Sequence, residues 1–236
     1  GRETDDIRIM AVTKTVPPER VNFAVSQGFE LLGENRVQEF LSKKEQYVKN
    51  AEINFIGHLQ SNKIKYIIDS VTMIQSVDSI GLAKEISDRA LAKGIVMDIL
   101  CEVNIGGEEA KSGFAPEDLA QAAQEAKKCE NVRVRGLMCI PPVAEGEHGS
   151  LPYFEKVHAL FVDINAKLYD NTLDILSMGM SGDYEDASRS WPPRRRCSPL
   201  RGYPGRCPTC RPAFRSPPKA PGSSRTGSGP PCPPPA

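Results

Sequence analysis

The sequence lacks the features that place a chain in a membrane or a secretory pathway. No window of its 236 residues approaches the roughly 18 consecutive apolar residues that a membrane-spanning helix needs. The N-terminal stretch GRETDDIRIM also lacks the charged-then-apolar order of a signal peptide. These absences predict a cytoplasmic protein without a membrane partner.

The cysteines are unevenly spread along the chain. The chain has seven cysteines, an odd number, and their spacing indicates no compact disulfide framework, so we expect reduced thiols. Cys207 and Cys210 have the spacing of one pair of zinc ligands, and Cys197 and Cys232 could complete the set. Because a zinc site normally shows two close pairs and only one is present, no metal site is predicted.

Acidic residues are absent from the C-terminal part of the chain. All 30 Asp and Glu residues lie before Ser188, whereas 188–236 contain nine arginines, one lysine and fourteen of the 20 prolines. A segment with so few apolar residues cannot offset the entropy that ordering costs. The composition therefore predicts a folded domain over 1–187 and a disordered Pro/Arg-rich tail over 188–236.

Within 1–187, apolar segments typical of strands alternate with segments typical of helices. Seven strands are predicted, over 7–13, 30–32, 53–56, 73–75, 96–103, 132–138 and 173–176. Helices are predicted over 17–27, 36–49, 63–69, 79–93, 117–129, 153–168 and 182–187. This alternation indicates parallel strands with right-handed crossovers, in either an open doubly wound sheet or a barrel of about eight units.

Polar residues at the predicted strand ends favour the barrel. A barrel gathers the ends of all its strands around one mouth, whereas an open sheet concentrates function at one switch point. The fold prediction is therefore an α/β, TIM-like barrel with its last strand missing. The strand-end residues are Lys14, Asn35, His58, Gln60, Asn104, Ser177 and Ser181.

Lys14 ends the first predicted strand, in the stretch IRIMAVTKTVP. A strand-end lysine commonly extends into solvent, which is the simplest interpretation. A barrel mouth is partly desolvated, however, and this disfavours the ammonium. A neutral amine can attack an aldehyde to form a Schiff base, so the second interpretation implies a carbonyl cofactor or substrate.

Six segments occur in order over 7–187: AVTKTVP, GENRVQE, FIGHLQSNK, CEVNIGGEEAKSGF, GLMCIPP and SMGMSGD. Together they resemble the pyridoxal phosphate homeostasis proteins, which are single-domain barrels with the fold of the alanine racemase N-terminal domain. The resemblance implies that Lys14 holds pyridoxal 5′-phosphate as a Schiff base. It also implies that Asn35 lies beside the cofactor ring and that Met138 forms part of the pocket wall.

The same resemblance places the cofactor phosphate at SMGMSGD, where it would meet Ser177, Met178 and Ser181. Barrels in general often bind phosphate at the loops after strands seven and eight, which agrees with this placement. If the resemblance to the family is left aside, SMGMSGD is equally typical of a serine-rich turn. His58 is either a pocket residue or a histidine that satisfies a nearby carbonyl.

The sequence departs from the family after SMGMSGDYEDA. The family continues with an eighth strand and an Arg-x-Gly-[ST] element that completes the phosphate site, whereas SRSWPPRRRCSPLRGYPG follows here. We assign no phosphate role to its arginines. The abrupt change in composition is what a GC-rich coding sequence gives in a wrong reading frame, so our hypothesis for 188–236 is a frameshifted terminus.

The implied function is intracellular homeostasis and carriage of pyridoxal 5′-phosphate by a monomer without catalytic turnover, with apo forms of pyridoxal-phosphate enzymes as partners. An amino-acid racemase or decarboxylase is the alternative, but a racemase needs a second base facing the lysine, commonly supplied by a separate β domain. A second alternative is non-specific RNA binding by the basic tail through Trp191, Tyr203 and Phe214. These aromatics fit no recognition module, so nucleic acid is not the predicted partner.

Overall fold

A computed structural model describes residues 7–191, in which strands and helices alternate. The strands are Ala11–Val12 (β1), Leu31–Glu34 (β2), Glu52–Phe55 (β3), Met73–Val77 (β4), Met97–Glu102 (β5), Val132–Met138 (β6) and Ile175–Ser177 (β7). The α-helices are Pro18–Ser26 (α1), Val37–Lys43 (α2), Ile80–Lys93 (α3), Leu119–Lys127 (α4), Leu151–Leu168 (α5) and Tyr184–Ser190 (α6). Short 3₁₀ helices cover Lys44–Gln46 and Ser61–Tyr66.

The described strands form one parallel sheet in which each strand pairs with the next one along the chain, from β1 to β7. Val12 pairs with Gly33, Glu102 with Met138, and Met138 with Ser177. Over residues 7–191 no pairing closes β7 onto β1. The architecture is an α/β half-barrel of seven strands, which confirms the predicted barrel that lacks its last strand.

The core consists of two apolar clusters of unequal size. The larger one lies between the sheet and the helices and contains fully buried residues such as Phe40, Ile99 and Phe154. The smaller one is formed by Met73, Leu100 and Met138. A parallel sheet that is buried on both faces is typical of α/β proteins, and it explains the long apolar runs of the central strands.

Helix α3 shows how the sequence sets the helix boundaries. Ser79 caps its start, where the hydroxyl accepts a hydrogen bond from the Leu82 amide at 3.3 Å. Gly94 ends it with a left-handed φ of 66°, as the sequence predicts.

Several predicted elements differ from the structure. The helix predicted over 36–49 ends at Lys43 and is followed by a 3₁₀ turn over Lys44–Gln46. The sequence predicts a helix over 63–69, but the segment is a 3₁₀ helix over Ser61–Tyr66. The segment is short and packs under α2 and α3, so tertiary contacts decide its geometry. Strand β1 covers two residues instead of the predicted 7–13, since it pairs with β2 only.

Helix α6 continues past residue 187 to Ser190. Trp191 then packs on α5, with ring centroids 4.9 Å from His158 and 5.4 Å from Phe161. The rest of the predicted tail, with Cys207, Cys210 and the other residues after 191, lies outside the described residues. In the part of the chain that the structure describes, no helix is both long and apolar enough to cross a membrane.

Candidate functional site

The carboxyl ends of the strands meet at one edge of the sheet, which we call the mouth. The sheet is parallel throughout, so the residues that follow β1, β2, β6 and β7 converge there. Lys14 lies two residues after β1 and Asn35 directly follows β2. Met138 and Ser177 end β6 and β7 in paired register. The structure therefore brings these sequence-predicted residues to a common edge.

Lys14 lies in a tight turn, residues 13–16, which we call the Lys14 turn. Lys14 is exposed, and its ammonium has no acceptor or carboxylate partner among residues 7–191. The next residue, Thr15, has a φ of 61°, a left-handed conformation that costs a non-glycine residue about 1–2 kcal/mol. Lys14 therefore extends into solvent, as the simplest interpretation of the sequence expected, and the desolvation expected at the mouth is not observed at this residue. The turn offers an amine, unpaired within the described residues, next to a strained backbone.

Asn35 contributes an unsatisfied polar atom to the mouth. Its Oδ1 is buried and has no donor within the described residues. Gly57, at the end of β3, packs against the Asn35 backbone so closely that a Cβ at position 57 would lie 2.1 Å from the Asn35 carbonyl oxygen. A buried acceptor without a donor is unfavourable, so this position suits a ligand that carries a hydrogen-bond donor.

The Ser177 side chain forms a hydrogen bond across the barrel interior. Its hydroxyl donates to Gln75 Oε1 at 2.7 Å, and Gln75 Nε2 lies 4.0 Å from the Sδ atom of Met10. This line of contacts joins β7, β4 and the segment before β1. Met138 is buried beside Met73, so it belongs to the inner wall of the barrel.

The loop after β7 presents backbone amides. The amides of Gly179, Ser181 and Gly182 have no acceptor among the described residues, whereas the Met180 amide donates to Asp183 Oδ1 at 2.6 Å. Ser181 is exposed, and the Met178 side chain packs against the main core. Free amides in one turn are hydrogen-bond donors that suit an anion.

An acidic pair that the sequence analysis missed lies at the ends of β4 and β5. Asp78 Oδ2 is 3.2 Å from Nδ1 of His58. Burial and the negative charge of Asp78 raise the pKa of Glu102 to about 7, while His58 opposes the shift. Both carboxylates stand at the carboxyl end of a buried strand, which is the signal that could have identified them.

A second group of charged residues that the sequence analysis did not predict contacts the Lys14 turn from β2 and α2. The fully buried Glu34 accepts hydrogen bonds at its Oε1 from the hydroxyls of Thr13 and Tyr47, both at 2.6 Å. Lys43 Nζ lies 3.4 Å from the same oxygen. Burial, with the neighbouring Glu34, raises the pKa of Tyr47 to about 12. The sequence showed Lys43 only as one polar residue of a predicted helix.

The half-barrel with a lysine at its mouth has the fold class of the alanine racemase N-terminal domain, and the sequence model of that domain matches residues 2–192. The chain is 43% identical to the pyridoxal phosphate homeostasis protein of Aquifex aeolicus, over 79% of this chain and 82% of the relative. It is 33% identical to the protein of the same name from Escherichia coli K12, over 79% and 81%. The chain belongs to the pyridoxal phosphate homeostasis protein family, which confirms the resemblance seen in its motifs.

Solved structures agree with this assignment. PipY of Synechococcus elongatus with pyridoxal phosphate bound superposes with a TM-score of 0.73 at 26% identity, over 80% of this chain and 88% of PipY. An alanine racemase of Clostridium difficile gives a TM-score of 0.64 at 18% identity, over 79% of this chain and 50% of the racemase. The second likeness concerns the fold alone.

Proposed function

We propose that this protein binds pyridoxal 5′-phosphate at the mouth of the half-barrel and carries it inside the cell, with Lys14 as the amine that holds it. The observation that supports this most directly is the exposed Lys14 ammonium without a partner among the described residues, held in a strained turn at the mouth. The Aquifex and Escherichia relatives are named for pyridoxal phosphate homeostasis, and PipY is a structural neighbour with this cofactor bound.

The residues at the mouth fit the groups that pyridoxal phosphate carries. The unsatisfied Oδ1 of Asn35 would accept a hydrogen bond from a donor on the ligand. The free amides of Gly179, Ser181 and Gly182 would donate to the phosphate, with the exposed Ser181 hydroxyl beside them. Met138 would form the pocket wall from the inner cluster.

Ser177 and Met178 have narrower roles in this proposal. The Ser177 hydroxyl already donates to Gln75, and the Met178 side chain packs against the main core. Both residues would therefore shape the phosphate loop through their backbone and not meet the phosphate with their side chains.

The cofactor supplies an aldehyde that condenses with an amine and releases water. Lys14 would provide that amine, Asn35 would orient the ring, and the amides of the loop after β7 would donate hydrogen bonds to the phosphate. Binding without turnover, followed by transfer to apo forms of pyridoxal-phosphate enzymes, is the role we propose. The chain is 43% identical to the Aquifex homeostasis protein, whereas it is 18% identical to the alanine racemase of Clostridium difficile. The first likeness supports a role without turnover.

The test is chemical trapping of the cofactor. The purified protein is mixed with pyridoxal phosphate, reduced with borohydride and digested, and the added mass is located by peptide mass spectrometry. One adduct on Lys14 is expected, and it should disappear in Lys14→Ala but not in Lys84→Ala, which changes an exposed lysine on α3. Labelling scattered over surface lysines would contradict the proposal.

A further inference from the structure

We propose that Lys43 is a positioning residue for Lys14, because its buried ammonium ties the Lys14 turn to helix α2. The inference rests on the proposed function, in which Lys14 holds the cofactor. Lys43 acts through the backbone of the turn and does not touch the cofactor.

One ammonium holds both ends of the Lys14 turn. Lys43 Nζ donates to the carbonyl oxygen of Thr13 at 3.1 Å and to that of Val16 at 3.4 Å. It also donates to Glu39 Oε1 at 2.8 Å, one turn earlier on the same helix. Thr13 and Val16 are the first and last residues of the turn, so these bonds fix the backbone on either side of Lys14.

Glu39 completes the anchor in the middle of the turn. Its Oε1 accepts a hydrogen bond from the Thr15 amide at 2.5 Å. Thr15 is the residue with the left-handed φ of 61°, and such strain persists only where surrounding contacts over-determine the backbone. Lys43 and Glu39 supply those contacts from a single helix. Strain held in this way is often found at functional sites.

The two lysines near this turn have opposite environments. The Lys43 side chain is 10% exposed and lies 3.4 Å from the fully buried Glu34 carboxylate, whereas Lys14 is exposed and unpaired within the described residues. Burial lowers the pKa of Lys43, but the hydrogen bond to Glu39 and the charge of Glu34 outweigh it, so the pKa is raised. Lys43 therefore stays charged and structural, and Lys14 is the lysine of this pair that a ligand can reach.

The experiment compares three variants. Lys43→Met removes the anchor but leaves Glu34 buried without a counter-ion, which by itself endangers folding. The double variant Lys43→Met/Glu34→Gln removes both charges and keeps an acceptor for Thr13 and Tyr47. The matched control is Lys44→Met, since Lys44 is the next residue but donates to Ser70 at 3.1 Å and not to the turn.

Two measurements are made on each variant. Hydrogen–deuterium exchange of residues 13–16 without cofactor should be at least about tenfold faster in the double variant, with exchange in β4 and β5 unchanged. The rate of the borohydride-trapped Lys14 adduct with pyridoxal phosphate should fall by about tenfold or more, because a small displacement of a reacting group slows a reaction steeply. In that step Lys14 Nζ bonds to the aldehyde carbon and water leaves; borohydride then adds hydride to the carbon of the C=N bond and solvent water protonates the nitrogen.

The outcomes separate this inference from the proposed function. Unchanged exchange of the turn, or an equal rise in β4 and β5, would overturn the positioning role. A double variant that forms the Lys14 adduct as fast as the unmodified chain would also overturn it. Absence of a Lys14 adduct in the unmodified chain would instead overturn the proposed function, while the exchange data still decide whether Lys43 holds the turn.

Discussion

The central strands and the edge strands of the sheet are stabilised in different ways. Every residue of β4 and all but one of β5 are buried, whereas the residues of β1 and β7 are all half-buried or exposed. A central strand pairs with two neighbours and has both faces covered. An edge strand pairs with one neighbour, so side-chain contacts must hold it in place.

Those side-chain contacts can be identified at both edges. On the β7 side, Arg135 binds Asp174, just before β7, and the Ser177 hydroxyl binds Gln75. On the β1 side, Arg8 binds Glu52 at 2.6 Å and Lys43 holds the Lys14 turn. The candidate site is thus built partly on the least packed strands, while stability comes mainly from the centre.

The largest effect should come from truncating the centre of the sheet. Ile99 of β5 is fully buried, so Ile99→Ala should lower the free energy of unfolding by about 3–4 kcal/mol through lost burial and the cavity left behind. Urea denaturation measures it. The edge comparison is Ile175→Ala in the half-buried β7, which should cost about 1–2 kcal/mol. Equal losses in the two variants would show that edge and centre do not differ.

An intermediate effect should follow from releasing the β7 edge. Arg135 joins Asp98 of β5 to Asp174 beside β7, at 2.6 and 2.5 Å. Arg135→Leu should therefore lower the free energy of unfolding by about 2 kcal/mol, with faster amide exchange confined to β7. The control is Arg133→Leu, since Arg133 is 63% exposed and within residues 7–191 pairs with Asp98 alone, so it should cost about 1 kcal/mol or less. Unchanged exchange in β7 would refute the anchoring role.

The smallest effect concerns the pH dependence at the mouth end of β5. The pKa of Glu102 is raised from its ordinary value of 4.5 to about 7. Between these two values the folded state binds a proton that the unfolded state has lost. The free energy of unfolding is therefore highest at low pH and falls as the pH rises toward 7. Glu102→Gln cannot ionise, so its stability relative to the unmodified chain should rise between pH 4 and pH 8. Because solvent screens this partly exposed carboxyl group, the rise should be about 1 kcal/mol and not the full value of the shift. Thermal unfolding at the two pH values measures it.

Asp78→Asn supplies the control for this effect. The negative charge of Asp78 contributes to the raised pKa of Glu102, so the Asn variant should show a weaker pH dependence of stability. If the stability difference between Glu102→Gln and the unmodified chain were the same at both pH values, Glu102 would not titrate in this range.

Much of the fold could be predicted from local sequence patterns. The alternation of elements and the glycine at position 94 are read from neighbouring residues, and the structure confirms both. The six motifs identified the family, which the comparisons confirm. The roles of Lys14, Asn35, Met138, Ser177, Met178 and Ser181 stay predictions that the trapping experiment and its variants can test.

Other features could not be predicted because they depend on contacts between distant parts of the chain. The 3₁₀ helix over Ser61–Tyr66 has α-helical apolar spacing, and only its packing sets its form. The raised pKa of Glu102 comes mainly from burial and further from the charge of Asp78, which directly follows the preceding strand. A local sequence pattern contains no information on the packing of the 3₁₀ helix or on the surroundings of Glu102.

The sequence by itself determined the order of strands and helices, the parallel barrel and the family, because periodicity and short motifs act over neighbouring residues. Only the tertiary structure decided that Lys43 reaches the carbonyl of Thr13, 30 residues earlier, and that Glu34 accepts from the Thr13 hydroxyl across 21 residues. The physical reason is the parallel crossover, which returns the chain to the same edge after each helix and so brings residues far apart in sequence into contact.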